Sequence, residues 1–239
     1  MIGNIFAIFF YKPLFNFFIF IYYFIPGGDL GIAIIIFTLL VKFALYPLGA
    51  KAIKSQKSLS NITPKIKEIQ EKYKDDKEKQ TKEIMNFYKK EKINPFSGCL
   101  PVLLQLPFLI ALFRIFQTNL EGNKSLLYNI TPHPEIILTK FLGIIDLSSP
   151  NIFFAILAGI SLFFQIKISS PKLKKNKKDD LQYIMQKQMQ YLMPVFTVII
   201  LLKLPSALGL YWIVSTLFTI GQQYLTDIKD INPKLSSEG

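Results

Sequence analysis

The sequence predicts an all-α membrane protein with five transmembrane helices and a cytoplasmic helical hairpin. Hydrophobic residues make up 51% of the 239 residues, and the mean hydropathy is +0.33. The hydrophobic residues form blocks that are long enough to cross a hydrocarbon core of about 30 Å. The formal charge of +12 is concentrated in two Lys-rich segments, which is typical of loops on the cytoplasmic side of a membrane.

Five apolar runs are the predicted spans. They cover residues 30–50, 98–118, 151–168, 189–204 and 206–225. The fourth run is short for a bilayer of ordinary thickness, and short spans imply local thinning of the membrane. Pro205-Ser206 indicates a turn between the last two runs, so those helices should be antiparallel neighbours.

The N-terminal segment, residues 1–29, is also apolar enough to span the bilayer. Lys12-Pro13 interrupts the run, and the segment lacks the basic leader and small-residue cleavage site of a secretory signal. We expect an interfacial helix from about Pro13 to Ile25. The alternative is a sixth span.

The polar segment 51–97 carries thirteen Lys and seven Asp or Glu residues. Its apolar residues recur at helical spacings, and Asp75-Asp76 lies where the first periodic stretch ends. The segment is therefore predicted to be a helical hairpin.

The positive-inside rule sets the predicted topology. The hairpin and the basic loop 169–188 belong in the cytoplasm, while residues 119–150, whose only basic residues are Lys124 and Lys140, belong outside. Five spans then leave a short cytoplasmic tail at 226–239. The protein should be a multi-pass protein of the cell membrane with a cytoplasmic C-terminus.

Lys42 is a charge inside the first span. Such a charge costs several kcal/mol unless it meets water, a partner or the interface. One interpretation is that Lys42 snorkels to the cytoplasmic headgroups, since Pro47 is only five residues away. The other is that Lys42, with Thr38 one turn earlier, faces a wet cavity between helices.

Gln105 and Gln165 place further polar groups at membrane depth. Either amide alone would be ordinary interhelical glue. Together with Lys42 and Thr38, they favour a shared hydrophilic pocket. No Asp or Glu lies inside a predicted span, so a proton or sodium relay has no groups to use.

The basic loops are candidate docking surfaces for ribosomal RNA, anionic lipid or targeting factors. Alternating Lys and Glu in the hairpin is equally typical of a solvated helix. The stronger cytoplasmic docking candidates are Lys172, Lys174, Lys175, Lys177 and Lys178.

Catalysis and cofactor binding are not expected. Cys99 is the one cysteine and His133 the one histidine, so the chain offers no internal disulfide, no metal site and no nucleophile with a base. No phosphate-cradling glycine motif is present. The sequence predicts a protein that is not an enzyme and needs no cofactor.

Several ordered motifs resemble the YidC/Oxa/Alb insertase family. The first span holds a basic residue and leaves through Tyr46-Pro47-Leu48, and the hairpin follows. The pattern N-P-x-x-G-C-x-P-x-x-x-Q-x-P-x-x-x-A-L then begins at Asn94. Met193-Pro194-Val195-Phe196 and the segment 204–215 match the last two family spans. The resemblance covers about residues 13–226.

The resemblance implies a five-helix core with a lipid-exposed hydrophilic groove that opens to the cytoplasm. It also implies insertion and folding of nascent membrane proteins without nucleotide hydrolysis. The groove charge, usually Arg in the family, is Lys42 here, and Lys lacks the planar fork of Arg. Tyr211 and Trp212 would line the groove from the last span, beside Thr38, Gln105 and Gln165.

The implied partners are nascent membrane proteins, the lipid bilayer and the ribosome. Participation of the signal recognition particle pathway and of a Sec translocon stays open. The large outer domain of some members and the lipoprotein signal of others are absent, and the tail after Thr226 is short and mixed in charge. Ribosome contact would then fall to the loops.

Two other functions are the alternatives to protein insertion. A small transporter or channel would need an inverted repeat or charged pairs across the membrane, and neither is evident. An intramembrane enzyme would need a nucleophile and base or metal ligands. The insertase mechanism needs neither, because burial of the incoming helix in lipid supplies the free energy.

Overall fold

The computed structural model describes residues 7–94, 100–117, 126–132, 138–170 and 181–231. The described chain is mostly helical with little strand, which confirms the predicted all-α class; the number of spans stays a prediction. In chain order the elements are α1 (Lys12–Phe24), α2 (Leu30–Ala44), α3 (Tyr46–Lys72), α4 (Lys77–Lys90), α5 (Leu100–Gln117), β1 (Lys140–Phe141), β2 (Ile145–Asp146), α6 (Ile152–Ser169), α7 (Leu181–Leu201) and α8 (Ser206–Ile231).

The N-terminal helix is longer than the sequence predicted. A π-helical turn, Ala7–Tyr11, runs directly into α1, so helical structure is continuous from Ala7 to Phe24. Pro13 is the second residue of the α-helical part, directly after the π-helical turn, where the regular i→i−4 hydrogen bonding is already interrupted. The expectation that Lys12-Pro13 interrupts this run is therefore wrong.

The first predicted span, 30–50, ends earlier in the structure. Asp29 caps α2, because its carboxylate accepts a hydrogen bond from the backbone N–H of Ile32 at 2.9 Å. The helix ends at Ala44, and the chain then bends by 68° into α3. Pro47 lacks an N–H for the carbonyl of Phe43, which explains why the helix breaks at this point.

The segment predicted as a hairpin forms two contacting helices, α3 and α4. The turn between them contains Asp75 and Asp76, and Asp76 caps α4 by accepting from the N–H of Lys79 at 2.9 Å. The Gln80 side-chain amide donates to the carbonyl of Gln70 at 2.7 Å, across the two helices. Since α3 begins at Tyr46, the polar segment continues the bent end of α2 without a loop.

Helix α8 lies at the centre of the described structure, where it packs against α2, α3, α5 and α6. Helix α7 packs mainly on α6. Gly159 permits this close approach, since a Cβ there would lie 2.5 Å from Cγ2 of Val198. The chain is helical from Leu181, so the predicted loop 169–188 is shorter in the structure, and α8 continues beyond residue 225 to Ile231.

The loop predicted to lie outside docks onto the ends of the helices. Asn16 of α1 is buried, and its side chain donates to the carbonyl of Leu126 at 2.9 Å and accepts from the N–H of Tyr128 and the hydroxyl of Thr131, both at 2.7 Å. Asp29 accepts from the backbone N–H of Leu142, next to the short β1–β2 ladder. These contacts cover one end of α1 and α2.

The β-ladder also meets the start of α8. The N–H of Ala207 donates to the carbonyl of Leu147 at 3.1 Å, and the N–H of Ser206 donates to Ser149 at 2.9 Å. Hydrogen bonds from Ser148 lower the pKa of the Asp146 carboxyl and hold the turn that leads there. The β-ladder and the starts of α2 and α8 therefore lie at one end of the molecule.

Within the part of the chain that the structure describes, two helical stretches are long and apolar enough to cross a membrane by themselves: Ala7–Phe24 and Ile152–Ser169. The bent pair α2–α3 would be a third if it is one span. In α5, the stretch Gln105–Ile115 is a shorter apolar helix.

Candidate functional site

A stripe of polar side chains follows α8 along its inner face. We call Tyr211, Ser215, Thr219, Gln222 and Thr226 the α8 stripe. Their spacings of four, four, three and four residues place them on one side of a helix. At about 1.5 Å per residue, the stripe extends over about 22 Å. Most of it is buried: Tyr211 is 2% exposed, Ser215 5%, Gln222 5% and Thr226 4%.

Lys42 lies against the middle of the α8 stripe. Its ammonium group donates to the hydroxyl of Thr219 at 3.3 Å, and Thr219 donates to the carbonyl of Ser215 at 2.9 Å. Within the described residues, no carboxylate lies within ion-pair distance of this ammonium group. Lys42 is in the last turn of α2, where the helix dipole favours a positive charge.

Gln105 joins α5 to the N-terminal part of the α8 stripe. Its side-chain N–H group donates to the phenol oxygen of Tyr211 and, at 3.1 Å, to the hydroxyl of Ser215. A single amide therefore satisfies two buried side chains of α8. Lys42 contacts Thr219 and Gln105 contacts Ser215, so two different helices bind consecutive hydroxyl residues of the same stripe.

The other predicted site residues are less closely joined to this cluster. Thr38 is fully buried, and its hydroxyl donates to the carbonyl of Ile34 in its own helix at 2.6 Å. Gln165 is half-buried on α6, and no hydrogen bond among the described residues links it to Lys42 or Gln105. Trp212 is half-buried and packs against the hydrophobic core beside Tyr211.

The C-terminal half of α8 makes hydrogen bonds to two neighbouring helices. The Gln222 amide donates to the backbone carbonyl of Tyr46, at the start of α3, at 2.7 Å. The next residue, Gln223, accepts from the hydroxyl of Ser169 at the end of α6 at 2.8 Å. One turn further, Asp227 accepts from Lys57 at 3.1 Å.

Exposed apolar residues are also found on α2 and α8, the helices that carry Lys42 and the α8 stripe. On α2 they are Ile36, Leu40 and Phe43, and Phe43 is 62% exposed. On α8, Leu217 is 56% exposed, two residues before Thr219. Phe43 also packs edge-on against Phe218, with ring centroids 5.1 Å apart. Phe43 therefore places an exposed apolar surface directly beside Lys42, and a polar group next to an apolar surface suits an amphipathic guest helix.

The described residues contain no group of three His, Cys, Asp or Glu side chains that could hold a metal ion. Cys99, His133 and the docking candidates Lys172–Lys178 lie outside the described residues. Among the described residues, the site consists of hydrogen-bonding groups and one ammonium group, which can bind and orient a substrate.

Known proteins match this chain over most of its length. The profile of the 60Kd inner membrane protein family matches residues 20–232. The chain belongs to the 60Kd inner membrane protein family. This membership, with the apolar helices, shows that it is a membrane protein.

Curated relatives in this family carry the name membrane protein insertase YidC. The protein of Clostridium tetani is 36% identical over 221 residues, which are 90% of this chain and 92% of the relative. Proteins of Francisella tularensis, from subspecies novicida and tularensis, are 34% identical over 198 residues. These residues are 83% of this chain but 32% of the Francisella proteins, so the chain spans about a third of their length.

These names confirm the family that the motifs predicted. They describe protein insertion rather than catalysis, in agreement with the prediction that the chain is not an enzyme. The names of the relatives do not test individual residues, so the roles of the site residues stay predictions.

Sequence analysis missed the residues of α8 that connect Lys42 to Gln105. Ser215 and Thr219 were not singled out, and neither was Gln222. Their signal was available in the last apolar run, where a polar residue recurs every three or four positions from Tyr211. Such a pattern indicates one polar face on an otherwise apolar helix.

Proposed function

We propose that this chain inserts nascent membrane proteins into the bilayer and helps them fold, without nucleotide hydrolysis. The observation that supports the proposal is the hydrogen-bonded set of Lys42, Thr219, Ser215 and Gln105, which three helices bring together beside an exposed apolar surface. The names of the YidC relatives supply the same function.

The proposed groove has two walls of different character. An incoming apolar helix slides along the exposed surface around Leu40 and Phe43. Its polar flank passes Lys42 and Thr219, which are half-buried, and their ammonium and hydroxyl groups replace part of the water it loses. Such replacement lowers the cost of moving polar groups through hydrocarbon, which is several kcal/mol for an unsatisfied group.

The placement of Lys42 favours the groove over simple snorkelling. Its ammonium group contacts Thr219 on a neighbouring helix. A snorkelling lysine would extend along its own helix to the headgroups. Without a carboxylate partner among the described residues, Lys42 can attract an acidic substrate flank.

The short length of α2, the helix of the first predicted span, also supports insertion. With 15 residues at about 1.5 Å each, α2 is about 22 Å long, which is less than a hydrocarbon core of about 30 Å. A short helix of this kind thins the bilayer locally. The guest then has a smaller distance to cross.

The topology and the partners belong to the same proposal. We infer five spans, a cytoplasmic α3–α4 hairpin and C-terminus, and an outer loop at 119–150. The hairpin and Lys172–Lys178 would face the ribosome or targeting factors. Action with the signal recognition particle pathway or a Sec translocon is compatible with this arrangement.

Site-specific crosslinking tests the proposal. A photoreactive amino acid in place of Phe43 should capture a ribosome-bound nascent membrane protein in native membranes. The same group in place of Ile199, an exposed apolar residue of α7, is the control. Equal capture at both positions, or capture at neither, would contradict a groove beside Lys42.

A further inference from the structure

The direction of the α3–α4 hairpin depends on the bend between α2 and α3. The helices meet at 68° around Leu45, where Pro47 removes one helical hydrogen bond. A proline bend allows a range of angles unless other contacts select one of them. Contacts of α3 with other helices must therefore fix the hairpin in the described orientation, and α3 packs against α8 more extensively than against α5.

The hydrogen bond from Gln222 to the Tyr46 carbonyl is best placed for this task. It lies at the bend, and Gln222 is 5% exposed, so water cannot easily replace the bond. The ion pair between Lys57 and Asp227 joins the same helices further out. Its side chains are 41% and 40% exposed, and an exposed pair contributes little.

Gly49 allows α3 to come this close to Gln222. A Cβ at position 49 would lie 2.8 Å from the side-chain oxygen of Gln222 and 2.9 Å from its nitrogen. Any larger residue must push the Gln222 amide aside. The contact can therefore be disturbed from either helix, by a change at position 49 or at position 222.

The α2–α3 segment and α8 also contact each other about one helical turn towards their N-termini. Lys42 is four residues before Tyr46, and Thr219 is three residues before Gln222. The bonds from Lys42 to Thr219 and from Gln222 to Tyr46 thus form two successive links between α8 and the α2–α3 segment. A displacement of the Gln222–Tyr46 link reaches the Lys42–Thr219 link through α8, because Thr219 and Gln222 lie three residues apart on one continuous helix.

We propose that Gln222 is a positioning residue, which clamps the base of the hairpin to α8 and thereby transmits hairpin movement to Lys42. The role of Lys42 in this inference rests on the proposed insertase function. The clamp itself is a statement about geometry, and it can be tested without a substrate.

Distance measurements in proteoliposomes test the clamp on the full chain. Spin labels at Lys82→Cys, exposed on α4, and at Lys167→Cys, exposed at the end of α6, report the hairpin direction in a Cys99→Ser background. Gln222→Leu and Gly49→Ala should each broaden the distance distribution. Gln223→Leu is the matched control, since this neighbouring glutamine contacts α6 and not α3. The clamp is wrong if both test variants keep the narrow distribution of the control.

Transmission to the groove needs a second measurement. Phe43→Cys, next to an intact Lys42 and in the Cys99→Ser background, should react with a water-soluble maleimide at a rate that changes about fivefold when combined with Gln222→Leu or Gly49→Ala, as expected for a population shift of modest size. Gln223→Leu should leave the rate unchanged. Broadened distances with an unchanged rate would show that the hairpin moves independently of Lys42. Neither measurement involves a substrate, so failure of the insertase proposal would appear only in the crosslinking experiment.

Discussion

Lys42 of α2 and Thr219 of α8 face each other at 3.3 Å, an ammonium group against a hydroxyl. A hydroxyl can accept one hydrogen bond from this ammonium group but cannot neutralise its charge. An acidic group on a passing substrate can accept a hydrogen bond from Lys42 and also neutralise its charge. Lys42 beside Thr219 is therefore suited to transient binding of an acidic substrate group.

The first prediction concerns the charge of Lys42. Lys42→Ala should reduce insertion of substrates with acidic translocated tails about tenfold, the equivalent of about 1.4 kcal/mol, and should affect neutral tails less. Lys42→Arg should retain function because it keeps the charge. The measurement is insertion of a tail-charge series at matched expression. A response that is flat across the series would remove Lys42 from the mechanism.

The second prediction concerns Gln105. Gln105→Leu leaves the phenol of Tyr211 and the hydroxyl of Ser215 without this amide, and an unmet buried polar group costs about 1–3 kcal/mol. We expect lower thermal stability of the purified protein in detergent. Gln188→Leu, at an exposed position of α7, is the control. Equal unfolding temperatures for the two variants would show that the Gln105 hydrogen bonds do not stabilise the α5–α8 contact.

The third prediction concerns the docking of the outer loop. The buried Asn16 side chain makes hydrogen bonds to three residues of that loop, and Asn16→Leu should release it. Proteolysis from the outer side should then cut near residues 126–132 faster. Asn129→Ala, at an exposed position of the same loop, should leave the cutting rate as in the wild type. Similar rates in both variants would place the loop's anchor elsewhere.

The fold class could be predicted because it depends on apolar blocks and charge distribution. The ends of the helices were harder to predict. Residues 45–50 carry no charge and are mostly apolar, so hydropathy alone extended the first span past the bend at Leu45. The N-terminal break was predicted from Lys12-Pro13, but a preceding π-helical turn places Pro13 where helices tolerate it.

The site was predicted in part, for a similar reason. Lys42 and Gln105 stand out as polar residues in apolar runs. Thr38 stands out equally, yet its hydroxyl bonds to its own helix, and no sequence pattern distinguishes a back-bonded threonine from one that faces a neighbour. The link through Thr219 depends on which helices pack together, which only the tertiary structure provides.

The fourth prediction concerns topology. Cysteines at Lys124 and Lys177, in a Cys99→Ser background, should label from opposite sides of the membrane, with Lys124 labelled from outside. The reason is the concentration of lysines in the segments predicted to be cytoplasmic. A membrane-impermeant maleimide, added to intact cells and to inverted vesicles, makes the measurement. Labelling of both cysteines from one side would overturn the five-span assignment.

The fifth prediction concerns the outer part of the hairpin. Replacing residues 60–92 with a Gly-Ser linker removes about half of α3 and all of α4. The contacts of Tyr46, Gly49 and Lys57 with α8 precede the replaced segment. The variant should therefore remain in the membrane at close to the normal level. Its defect should appear in delivery, because the lost segment holds most of the hairpin's charged surface.

Two forms of one substrate separate delivery from insertion in this variant. A ribosome-bound nascent chain should insert several-fold less well than with the wild type. The same chain, released from the ribosome in detergent and then diluted into proteoliposomes, should insert at nearly the wild-type rate. If both forms fail equally while the protein level is normal, the hairpin acts in the groove itself. If the variant disappears from the membrane, the hairpin is required for folding, and the buried Ile62 and Ile66 of α3 would explain that requirement.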